Sequence, residues 1–202
     1  MVKKYHFPKG YKPTIDEVEK YLSRWNSLEN YVNQEHALDK LFGRLCPYNT
    51  DINDVLIKCS TLNDFYSTNI FDVHSVALHI WEMNIDERLR QGDMLLVNEI
   101  AHVEVGNPKK PRFLYSFATK YCSHHQPNNY AIYDHYVEKL LIAFKRRGDN
   151  FSDFKLNELK NYECFMEVIR DFQHYYGLSQ FNVKQLDKYL WQLGKEFFSP
   201  FE

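Results

Sequence analysis

Apolar residues recur at steps of three and four along almost the whole of this chain, and nowhere in the strict alternation that a half-buried strand needs. Val18, Tyr21, Leu22 and Trp25 share one helical face, as do Ile52, Val55, Leu56, Cys59, Leu62 and Phe65, and Leu114, Phe117, Ala118, Tyr121 and Cys122. A helix buries such a stripe only against other helices when no sheet is present, so the pattern predicts an all-α fold, a compact multi-helix bundle.

Start and stop signals divide the pattern. Residues 1–13 mix prolines, glycine and lysines among aromatics and read as an extended arm. Thr14-Ile15-Asp16-Glu17 is a capping-box pattern that opens the first helix. A second helix runs after Asn26-Ser27 through Leu28, Tyr31, Val32, Leu38, Leu41, Phe42 and Leu45 to Pro47. The next begin at Asp51 and Asp72. A short turn over Ile85–Leu89 ends near Gly92, and Asp93 can cap the helix through Leu96, Val97, Ile100 and Ala101. Val105–Pro111 is turn-forming. Beyond Lys145–Asn150, Leu156–Tyr176 and Val183–Phe198 are helical in register, the latter with Asn182 as cap.

With 202 residues and 44% hydrophobic content the chain can bury one core over 1–202, or form two closely packed helical lobes. We expect a single compact domain. A net charge of −2 is not that of a globally basic nucleic-acid binder, so any polyanion site is local. Cys46, Cys59, Cys122 and Cys164 lack the close pairing of zinc ribbons or redox dithiols and read as buried thiols. No segment has the apolar length of a signal peptide or of a membrane span, which points to a cytoplasmic protein without a membrane partner.

The stretch from Arg112 to Val137 concentrates the chemistry. No acidic residue falls between Val105 and Tyr133, whereas Lys109, Lys110, Arg112 and Lys120 all do. Pro127, Asn128 and Asn129 break the helix that carries Lys120, and Asp134 then precedes the stripe of Val137, Leu140, Leu141 and Phe144, at a helix N-terminus. A basic, turn-rich approach leads to one carboxylate.

A basic turn between two helices, followed by a carboxylate at the start of a third, resembles the helix-hairpin-helix DNA glycosylases, and among them the oxoguanine-glycosylase-like branch with its small bacterial members. The likeness centres on residues 85–145, with Ala131-Ile132-Tyr133-Asp134-His135-Tyr136-Val137 similar to the family's Pro-Val-Asp-x-His-Val type motif. The final Leu186–Trp191 is similar to the closing helix of such relatives. The resemblance implies a fold of that type, DNA as partner, no cofactor, and removal of a damaged or modified base. It gives Asp134 the part of the catalytic carboxylate and Lys120 that of the lysine nucleophile. Where the family carries a glycine pair in its hairpin, this chain carries Gly106 with Pro108 and Pro111.

Glycosidic cleavage builds positive charge on the sugar, which a carboxylate stabilises. Asp134 suits that role and equally that of an N-cap. Lys120 lies off the Leu114-Phe117-Tyr121 stripe, which predicts a solvated side chain or a phosphate contact. Lys109, Lys110 and Arg112 can neutralise DNA phosphates, with His124 and His125 as further contacts or as core and cap histidines. Tyr115, Tyr130, Tyr133 and Trp191 are candidates for stacking on an extruded base. No second cluster at ligand spacing joins Cys122, His124 and His125, so no metal is expected. The alternative is a catalytically inactive helical DNA-binding or protein-interaction module, including one of mobile-element or defence function.

Overall fold

A computed structural model describes residues 10–199. The chain is mostly helical, in the order α1 (Ile15–Trp25), α2 (Glu29–Lys40), a π turn (Leu41–Leu45), α3 (Ile52–Phe65), α4 (Val73–Glu82), α5 (Asp86–Gln91), α6 (Leu95–Ala101), β1 (His102–Val105), β2 (Lys110–Phe113), α7 (Tyr115–His125), α8 (His135–Arg147), a 3-10 turn (Leu156–Lys160), α9 (Tyr162–Tyr175) and α10 (Val183–Phe198). Most of the arm expected over residues 1–13 lies outside the described residues. Contacts divide the chain into two compact units: Glu29–Ile132, and the chain up to Leu28 together with that from Tyr133 onward.

In the unit of two segments, α10 packs on both α1 and α8. Thr14 Oγ1 accepts from Glu17 N at 3.3 Å to start α1. Asn182 and Gln185 exchange side chain-to-backbone hydrogen bonds, both of 2.9 Å, to start α10. Val18, Val137, Leu140, Phe144, Phe172, Tyr189 and Leu193 are buried there. The approach of α8 to α10 depends on a residue without a side chain: a Cβ on Gly194 would lie 2.7 Å from the Tyr136 carbonyl oxygen.

The Glu29–Ile132 unit is built on α7. Tyr115 and every residue from Phe117 to Ser123 are buried, so this helix is covered on all sides and is central rather than amphipathic. α6, α3 and the π turn pack against it, and α4 packs on α3. The helical expectation holds with one departure: β1 and β2 form an antiparallel hairpin, Val103 facing Arg112 and Val105 facing Lys110. The expected turn over 105–111 is therefore the tip of a two-stranded ribbon. Leu114 N donates to Ala101 O at 2.8 Å and closes its base. The strands escape a periodicity reading because each has four residues, and β2 is exposed throughout.

We expect Gly194→Ala to destabilise the protein by about 2 kcal/mol through overpacking. Chemical denaturation measures this, and unchanged stability would show that α8 and α10 can part without cost.

Candidate functional site

Within the Glu29–Ile132 unit, α3 and α7 carry titratable side chains into a shared interior. α7 presents two adjacent i,i+4 pairs, Lys120 with His124 and Tyr121 with His125. Opposite them stand Lys58 and Tyr66, from α3 and its C-terminal end, and Phe42 from the π turn. Phe42 lies 5.4 Å from His124, 4.9 Å from His125 and 5.5 Å from Tyr121 between ring centroids.

Lys58 is 0% exposed. Its Nζ donates to Tyr48 O at 2.8 Å and Asn49 Oδ1 at 2.6 Å, and lies 3.3 Å from His125 Nε2. Asn49 links the surrounding segments: its backbone N and Nδ2 donate to the Asp86 carboxylate, and its Oδ1 also accepts from the Tyr121 hydroxyl at 2.5 Å. Burial drives the Lys58 pKa down to about 8, against the opposing pull of Asp86, Cys46, Cys59 and Asp54. Burial likewise lowers the His125 pKa well below its ordinary value, with Lys58 and His124 adding to the shift. His125 is thus neutral at neutral pH, and its Nε2 accepts from the Lys58 ammonium.

Lys120 is also buried, 6% exposed. Its Nζ donates to Ser116 Oγ at 2.5 Å and Ser116 O at 3.2 Å, and lies 5.1 Å from the centre of the Tyr66 ring. The Tyr66 hydroxyl lies 2.9 Å from His124 Nε2. The solvated lysine expected at 120 is therefore corrected. The wheel argument assumed a one-sided α7, whereas the helix is enclosed all round.

Both histidines are half-buried: His125 is a neutral acceptor inside the network, and His124 packs between Phe42 and Tyr66, in line with the core or cap alternative. Lys109, Lys110 and Arg112 are exposed on the hairpin, as a phosphate-contacting role requires. Of the stacking candidates, Tyr115, Tyr130 and Tyr133 are core residues, 4%, 0% and 7% exposed. Tyr115 lies against Phe113, the Tyr130 hydroxyl donates to Asp93 O at 3.1 Å, and Tyr133 meets Phe165 edge-on. Trp191 is half-buried, packed edge-on against Trp25 with Lys195 over its ring. The three tyrosines are core residues without an exposed face, whereas Trp191 remains part-exposed.

Asp134, in the unit of two segments, is the N-cap of α8. Its Oδ1 accepts from Tyr136 N and Val137 N, each at 2.9 Å. Cys46, Cys59 and Cys122 are buried free thiols, whereas Cys164 is only half-buried, a difference from the expectation for all four. Among the described residues no group of three His, Cys, Asp or Glu side chains converges as a metal site does, and no helix is long and apolar enough to cross a membrane.

Sequence reasoning missed Lys58, Asn49, Asp86 and Tyr66. A signal for the first was present: Val55, Lys58, Cys59 and Leu62 fall at i, i+3, i+4 and i+7, so a lysine occupies the apolar stripe of α3.

The fold and site define a helical protein of two units, one of which encloses a lysine-histidine cluster and carries an exposed basic hairpin. The chain belongs to the HI_0787_N family, described as an N-terminal domain, which matches residues 17–129. An uncharacterized protein of Haemophilus influenzae is 46% identical over 172 residues, 85% of this chain and 77% of the relative. No solved structure matches the chain.

The Lys58 pKa gives a pH test. A lysine that titrates at about 8 when folded, against an ordinary 10.5, binds its proton less tightly in the folded state than in the unfolded one. Its ionisation opposes folding below pH 8, and that penalty is relieved between pH 8 and 10.5. The stability of wild type relative to Lys58→Met should therefore rise across this window. Denaturant titrations at each pH measure it, and a flat difference would contradict a buried, proton-poor Lys58.

Proposed function

We propose that the protein releases a damaged or modified base from DNA by N-glycosidic cleavage, as a member of the helix-hairpin-helix glycosylase type. The observation that carries the reading is Lys120, an amine withdrawn from water and oriented by Ser116 on the helix directly after the basic hairpin. In this chemistry the amine lone pair bonds to C1′ as the glycosidic bond breaks, and the bonding electrons leave with the base. Opening of the sugar ring then gives an imine; of the two amine protons, one ends on the released base and the other on the ring oxygen O4′, relayed through solvent. Lys109, Lys110 and Arg112 hold DNA phosphates, and Asp134 carries, by its motif resemblance alone, the role of a carboxylate that stabilises positive charge on the sugar.

A second reading, a catalytically silent helical DNA-binding module, is favoured by the Asp134 carboxylate, whose Oδ1 is engaged by two backbone amides of α8 as in an ordinary cap. The readings separate experimentally because asparagine caps helices about as well as aspartate. Duplexes carrying a panel of modified bases are incubated with the protein, with borohydride added to trap an imine. We expect base release, a trapped adduct lost in Lys120→Ala, and release lowered about 10²-fold in Asp134→Asn with stability retained. Salt-dependent binding with no release from any duplex would instead establish the module.

Binding itself gives an independent check. Replacing Lys109, Lys110 and Arg112 by alanine should reduce the slope of log affinity against log salt by up to about 0.9 for each phosphate no longer neutralised. An unchanged slope would remove the hairpin from the interface.

A further inference from the structure

Phe71 is 101% exposed, an aromatic ring presented wholly to solvent from the loop between α3 and α4. The loop is built to hold it there. Ser67 and Asn69 have φ of 48° and 56°, a left-handed backbone that residues with side chains adopt at a cost. The Asn63 side chain stabilises that conformation: its Oδ1 accepts from Thr68 Oγ1 at 2.7 Å and Ile70 N at 2.9 Å, and its Nδ2 donates to Ile70 O at 3.0 Å. Ile70 is buried, so the chain is anchored on one side of Phe71.

Asp72 anchors the other side. Its carboxylate accepts from Ser75 N and Oγ, capping α4, and its Oδ2 accepts from Gly106 N at 2.7 Å. Gly106 is the first residue of the hairpin tip, with φ of 85°. One carboxylate therefore ties the Phe71 loop to the tip that carries Lys109 and Lys110, both exposed. The acids of these segments are Asp72, engaged by Ser75 and Gly106, the exposed Asp64 in the last turn of α3 and the exposed Glu104 of β1.

We infer that Phe71 and the hairpin tip form one nucleic-acid surface, on which Lys109 and Lys110 hold phosphates while the Phe71 ring stacks on the open face of an unpaired DNA base. The inference rests on the DNA-directed reading above and adds what that surface selects. A phenyl ring on a loop tied to a tip that carries two cations complements a base joined to its phosphates, because every base has a stacking face and every nucleotide an anion. It also supplies the open aromatic face that the buried Tyr115, Tyr130 and Tyr133 do not.

The test uses the full chain and two oligonucleotide duplexes, one fully paired and one with an unpaired 2-aminopurine. Wild type should bind the second more tightly and quench its fluorescence. Phe71→Ala should lose about tenfold in affinity for that duplex together with the quenching, and Phe71→Trp should restore both. Because the side chain is wholly exposed, the substitutions leave the core intact. Quenching that persists in Phe71→Ala, whatever its affinity, overturns the stacking role and leaves the DNA-directed reading standing. Failure of wild type to bind either duplex at low salt overturns both.

Discussion

A lysine ammonium shut away from water must find all its hydrogen-bond acceptors inside the protein, and the Glu29–Ile132 unit is arranged to meet that demand at Lys58. Asn49 makes the arrangement possible because an amide side chain both donates and accepts. Through it the loop before α3, α3 itself, the start of α5 and the middle of α7 are tied by directional bonds. Apolar burial supplies most of the driving force for such a unit but is indifferent to which carbonyl meets which donor. The Lys58 network is not, so it sets the register of helices that would otherwise be free to slide.

The helices were legible in the sequence because capping chemistry is local. Thr14, Asp51, Asp72, Asp134, Asn161 and Asn182 each accept from an amide two or three residues ahead, an arrangement that needs no distant partner. The candidate site was less legible because it depends on enclosure from several directions at once. A wheel drawn on α7 cannot show that α3, α6 and the π turn surround it, so Lys120 reads as solvated and Tyr115 as available. Lys58 was overlooked for the converse reason: a charged residue type suggests a surface position, while its spacing places it in the stripe. The hairpin was read as a turn because strands of four residues, one of them wholly exposed, have too little alternation to register.

Charge follows the same division between what is enclosed and what is presented. The unit keeps two lysines inside, where rings and oxygen acceptors surround their amines, and displays Lys109, Lys110 and Arg112 on a ribbon that buries little but Val103. A net charge near zero is compatible with a local basic patch, because Lys109, Lys110 and Arg112 are all exposed on one short projection.

The chain leaves one unit after Leu28 and returns to it at Tyr133, so the more continuous unit is an insertion into the other. The family match begins within α1 and ends at residue 129, close to the second of these crossings. Yet α1 belongs with α10, far along the chain, and Val18 and Tyr21 are buried within that unit. A fragment cut at the end of the family match would carry α1 with its apolar stripe uncovered, an adhesive surface absent from the whole protein. In the same way α1, which leaves the ribosome before the Glu29–Ile132 unit, must wait for α10, which leaves after it, so this unit assembles only once the inserted one has been synthesised.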